Sequence, residues 1–107
     1  MSTSKSTAEY ILDQLANAGA VRVTKMFGEY ALYCDEKVVG LICDDQLFIK
    51  YTDKGKDFAE GRYSEGFAYP GAKPSMNVTD ILDDAEFLCM LVRLTADALP
   101  MPKKKKR

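Results

Sequence analysis

Between Val21 and Tyr51 the chain carries four β-forming runs with very short breaks between them, and this spacing constrains the fold more than any other feature. Val21 to Met26 (Val-Arg-Val-Thr-Lys-Met) alternates and is rich in β-branched residues, as a strand does. Gly28-Glu29 interrupts it, either as a tight turn or as a bulge. Tyr30 to Cys34, Lys37 to Cys43 and Gln46 to Tyr51 follow, separated by Asp35-Glu36 and Asp44-Asp45. Connections this short join antiparallel neighbours, so a four-stranded meander is expected. Met76 to Thr79 adds a brief fifth strand.

Side chains alternate across a sheet, so the turns fix which residues share a face. With two-residue turns at both acidic pairs, Leu32 lies opposite Val39, and Tyr30 and Phe48 flank Leu41. Tyr33, Val38, Ile42, Leu47 and Ile49 take the other side. Glu36 is an awkward residue for a type I′ turn, where positive φ favours glycine. A three-residue loop there stays open and would shift the register by one. In the two-residue-turn register both faces are apolar, whereas a half-solvated antiparallel sheet shows a polar side. Helices can cover one face; the other needs further chain or another subunit.

Two helices flank the strands. Ser6 and Glu9 form a capping box, and Ala8, Ile11, Leu12 and Leu15 make one helical face. That helix is expected from about Thr7 to Ala18, with Gly19 at its left-handed end. Asp83 or Asp84 caps the last helix, whose stripe of Phe87, Leu88, Leu91, Leu94, Thr95 and Ala98 ends at Pro100 and Pro102. Met90, Val92 and Leu99 widen that stripe, the mark of a buried or subunit-contacting helix. Thr52 to Gly61 is expected as a short helix anchored by Phe58, and Arg62 to Pro74 as an ordered loop packed on the sheet. A chain of 107 residues holds one such domain, residues 1–102. The fold class is α+β.

The chemistry is sparse. Histidine is absent, which removes the commonest general base and metal ligand. Cys34, Cys43 and Cys89 form no C-x-x-C pair and fall in elements where cysteine packs as a small hydrophobe. The adjacent carboxylates Asp44-Asp45 and Asp83-Asp84 are explained by a turn and a helix start. Gly28 lies outside any phosphate-cradling motif. Tyr30, Tyr33, Phe48 and Tyr51 resemble a base-stacking platform but lack interleaved basic residues, so they are assigned to packing. Lys25 and Glu29 flank the break, where an ion pair across it and a recognition feature are equally open readings. No catalytic residue, cofactor or metal ligand is assigned, and the chain is expected to be non-enzymatic. No apolar run reaches the roughly 18–20 residues of a membrane span, and the N-terminus has no cleavage-like site, so a cytoplasmic location without membrane contact is expected.

The net charge of −1 conceals an asymmetry: removing the +5 of Lys103, Lys104, Lys105, Lys106 and Arg107 leaves −6 on the rest. These five residues are expected as a disordered tail, and a weak phosphate contact through them is the alternative function.

The residues of Lys25-Met-Phe-Gly-Glu-Tyr-Ala-Leu-Tyr33, Val38 to Ile42, Asp44-Asp45, Leu47 to Lys50, Pro70 to Lys73 and the Leu99-Pro-Met-Pro ending resemble the amino-terminal domain of the competence regulator TfoX, also called Sxy. The family's usual D-G turn is here Asp35-Glu36. The resemblance implies helices packed on an antiparallel sheet, similar to secretion-chaperone-like folds, and a regulatory protein-interaction module linked to transcription. Full-length regulators carry a second, helical, DNA-associated domain, and this chain stops before it, so a stand-alone module is expected. The expected partners are an unidentified protein and a second copy of the chain in a homodimer. The expected protein contact is Lys25, Phe27, Gly28 and Glu29.

Overall fold

The computed structural model describes residues 3–26 and 29–100 and confirms an α+β chain. The elements run α1 (Lys5–Gln14), β1 (Val21–Met26), β2 (Glu29–Cys34), β3 (Lys37–Cys43), β4 (Gln46–Ile49), α2 (Asp53–Phe58), β5 (Ser64–Phe67), β6 (Pro74–Asn77), a 3-10 turn (Thr79–Ile81) and α3 (Ala85–Ala98). The sheet has six strands in the order β1-β2-β3-β4-β6-β5. The first four form the expected meander. Beyond them β6 joins β4, and β5, in the segment expected to be a loop, becomes the outer edge. The fifth strand of the sequence pattern is displaced, starting at Pro74 and ending at Asn77.

Both acidic turns are two residues long, with positive φ at Asp35, Glu36, Asp44 and Asp45. That is the type I′ geometry, which suits the right-handed twist of the flanking strands. Glu36 accepts φ of 70° there, and its carboxylate meets Arg22 at 3.0 Å. The register nevertheless slips by one, because β3 bulges beside the Leu32–Tyr33 step. Tyr33 pairs with Val38, but Leu32 pairs with Gly40 and Tyr30 with Ile42. Leu32 therefore does not lie opposite Val39. It shares a face with Ile42, Leu47, Ile49 and Met76, all fully buried. The opposite face carries Ala31, Tyr33, Val38, Leu41 and Phe48.

The first face holds the core. Ile11 and Leu15 from the α1 segment and Leu88, Leu91 and Val92 from α3 close over it with no solvent exposure. Helix α1 starts earlier than the sequence suggests. Ser4, not Ser6, is its N-cap, and its hydroxyl accepts from the Thr7 N–H. The cause is tertiary: Asp45 accepts hydrogen bonds from the Ser4 N–H and the Thr7 hydroxyl, both at 2.9 Å, and so fixes the chain before the helix. The helix stops at Gln14, and residues up to Ala20 form turns. Asp84 caps α3 as expected, accepting from the Phe87 N–H. Leu94 is only half-buried and Ala98 exposed, so the packed stripe of α3 is narrower than its composition suggests.

The four aromatics Tyr30, Tyr33, Phe48 and Tyr51 do not form one platform. Tyr30 and Tyr33 lie on opposite faces of β2, and Tyr51 packs edge-on against Tyr63 and donates to Glu65. No helix among the described residues is long and apolar enough to cross a membrane.

Candidate functional site

The second face of the sheet is covered by the chain itself, and incompletely. Strands β5 and β6 extend the sheet past β4, and Phe48 lies across them. A Cβ at Gly66 would stand 3.1 Å from the Phe48 ring, so the glycine lets the aromatic settle onto the hairpin. Residues 67–72 then form a roof over β3. Between the roof and Glu29, Tyr30, Leu41, Cys43 and Asp44 runs a groove of about 1070 Å³. A second groove of about 600 Å³ shares Leu41 and Tyr69 with it and continues toward Gly40, Lys50 and Lys73. Together they make a channel along β3. Its apolar walls are Leu41, Cys43 and the roof, and two large aromatics stand on the rim: Phe67 is 58% exposed and Tyr69 55%.

The ends of the channel differ in charge. Glu29 and Asp44 stand at one end, Lys50 and Lys73 at the other. Glu29 is fixed through one carboxylate oxygen, which accepts from the Thr3 hydroxyl at 2.6 Å and the Asp44 N–H at 3.0 Å. Thr3 is buried, and its hydroxyl accepts from the Asp45 N–H at 3.2 Å and lies 3.1 Å from the Ile42 carbonyl, so the acidic end is tied to the sheet backbone. Burial, assisted by the negative Glu29 and Asp44, pushes the Cys43 thiol up from its usual range. A neutral thiol at physiological pH is a poor nucleophile, and this one serves as wall. Among the described residues no group of three or more His, Cys, Asp or Glu side chains is placed to hold a metal ion. The chemistry available here is apolar contact between two charged ends.

The family model of the TfoX N-terminal domain matches residues 13–99. The chain belongs to the TfoX N-terminal domain family. It is also 46% identical over 106 residues to the "Uncharacterized 12.7 kDa protein in trpE 5'region" of Spirochaeta aurantia, a match covering 99% of this chain and 91% of that relative.

In this TfoX N-terminal domain two of the four residues expected to contact a partner, Lys25 and Glu29, are described. Glu29 lines the channel. Lys25 is exposed on β1, opposite Tyr30, and among the described residues no ion pair joins it to Glu29. The Glu29 carboxylate turns instead to Thr3 and Asp44. Phe27 and Gly28 lie outside the described residues, as do Lys103, Lys104, Lys105, Lys106 and Arg107. The roof of this TfoX N-terminal domain was missing from the sequence-based site. Its signal was the cluster Phe67, Tyr69, Pro70 and Gly71, too apolar for a free linker.

Proposed function

We propose that the chain is a non-enzymatic regulatory module that works by binding another protein, and that the channel under residues 67–72 is its docking face. The observation that carries this is the pair of exposed aromatics, Phe67 and Tyr69, on the rim of an apolar channel with opposite charges at its ends. Exposed apolar surface of this kind marks interaction sites, and an extended segment fits a channel that runs along a strand. Membership of the TfoX N-terminal domain family supports a link to transcriptional regulation. The unpaired thiols Cys34, Cys43 and Cys89 suit a reducing compartment such as the cytoplasm.

The test is capture from native lysate by the full chain and by the variant Phe67→Ser/Tyr69→Ser. Both side chains are largely solvent-exposed, so the fold survives their loss, and an unchanged urea midpoint verifies it. A protein held by the wild type and released by the variant supports the proposal. Equal capture by both overturns it.

A further inference from the structure

We propose that the channel accepts the segment of residues 99–107 from a second copy of the chain, prolines under the roof and lysines against Glu29 and Asp44. This rests on the channel being a docking face and names an occupant for it. Leu99-Pro100-Met101-Pro102 precedes Lys103, Lys104, Lys105, Lys106 and Arg107. Alternate prolines fix φ near −65° and favour the extended polyproline form, so little conformational freedom is lost on docking. Segments of this form bind grooves walled by aromatic side chains. Phe67 and Tyr69 offer such a wall, with Pro70 beside them.

Length and charge agree with this placement. From Leu99 to Lys103 a polyproline segment spans about 12 Å, at roughly 3.1 Å per residue. From Gly40 to Asp44 β3 and its turn cover about 13 Å, at roughly 3.3 Å per residue. With the lysines at Glu29 and Asp44, the start of the segment falls beside Lys50 and Lys73. That start follows the C-terminus of α3, the negative end of the helix dipole, where Asp97 is exposed. Both ends of the channel then meet opposite charge. A chain whose tail carries +5 and whose remainder carries −6 is also complementary to a copy of itself.

The occupant comes from a second copy because of where α3 ends. Lys37 donates to the Ala96 carbonyl at 2.7 Å, which fixes the last turn of α3 at the β2–β3 turn, on the core face. Glu29 and Asp44 stand at the other end of β2 and β3. Within one chain Pro102 reaches about 11 Å from Leu99, whereas the channel at Leu41 lies about 13 Å along β3 from Lys37 and on the opposite face of the sheet. Prolines under the roof and lysines on the carboxylates are therefore compatible only between chains. Reciprocal exchange gives a closed two-fold dimer.

Sedimentation velocity on full-length proteins tests this, at low and high salt. One variant is Glu29→Gln/Asp44→Asn, which keeps the acceptor toward Thr3 and suits the positive φ of residue 44 while removing both charges. The other replaces Lys103, Lys104, Lys105 and Lys106 with serine. The wild type is expected to dimerise, less at high salt, and each variant alone at least tenfold more weakly. Mixing the two variants restores one of the two exchanges, so the mixture associates more tightly than either variant alone. A wild type that stays monomeric, or a tail variant that dimerises as tightly as wild type, overturns the inference. So does nucleic acid retained by a monomeric wild type and released by the tail substitutions, which assigns the tail to phosphate binding. Roof-dependent capture of a lysate protein is read separately: if it persists while self-association fails, only the occupant is wrong.

Discussion

Gly55 of α2 lies against Thr95 of α3 so closely that a Cβ on the glycine would stand 3.2 Å from the threonine hydroxyl. The same Cβ would stand 2.8 Å from the Thr52 hydroxyl, the N-cap that accepts from the Gly55 N–H. In an open helix Gly→Ala is worth about 1 kcal/mol of added stability. Here the methyl displaces the cap and pushes on fully buried Thr95. Gly55→Ala is therefore expected to destabilise by about 1–2 kcal/mol, the scale of a lost cap offset by helix propensity. A raised urea midpoint would contradict this packing.

Gly40 is the stricter glycine. A Cβ there would collide with the Phe48 carbonyl and stand 3.1 Å from the Ile49 side chain. Backbone cannot yield as a flexible side chain does, so Gly40→Ala must pry β3 from β4 next to the bulge. The expected loss is about 3 kcal/mol or more, at the severe end for a point substitution. Soluble expression and the urea midpoint read it, with Gly61→Ala as the control. Gly61 has open space around its Cβ position but a positive φ of 82°, so its loss is conformational, about 1 kcal/mol.

Stability is expected to fall on acidification through two carboxylates that anchor the chain. Asp45 is held below its usual range by the Ser4 N–H and then by the Thr7 hydroxyl. Asp35 is held down by the Ala20 N–H and then by Arg93. A depressed folded pKa means that the unfolded chain binds more protons as pH drops. The stabilisation is whole above the unfolded value of about 3.9 and is lost as pH falls through the folded values. Urea midpoints between pH 6 and pH 2 check this, and Asp45→Asn should flatten the slope.

The thiols should separate by accessibility. Burial raises the Cys34 and Cys43 thiols, and both are nearly or fully enclosed. Cys89 is only half-buried, with its sulfur 3.2 Å from the Gln14 carbonyl. A thiol reagent under native conditions is expected to label one cysteine quickly and the other two only on unfolding. Rapid labelling of Cys43 would show that the channel wall opens.

Strand identity was legible wherever a run alternated and ended on a short acidic pair, as from Tyr30 to Gln46. The register was not, because Val38-Val39-Gly40-Leu41-Ile42 is apolar at both parities and hides a bulge. Strand β5 was hidden for the opposite reason: Ser64-Glu-Gly-Phe67 has no alternation and exists as a strand through pairing with β6. The start of α1 depended on Asp45, a residue far along the chain. Glu29, which lines the channel, was singled out from its place beside a break. Its neighbours in the channel were not, since only the folded sheet brings residues 67–72 over Leu41.

The strand order also bears on how the chain assembles. Strands β2, β3 and β4 are linked by the tightest turns a hairpin allows, so their pairing closes minimal loops. Pairing β6 to β4 must wait for the whole excursion through α2 and β5, a much larger loop to close. The meander can therefore form early and locally, while the β5–β6 hairpin docks late. The roof of the channel belongs to that hairpin, so the last part of the chain to find its place is the part that turns an open strand surface into a channel.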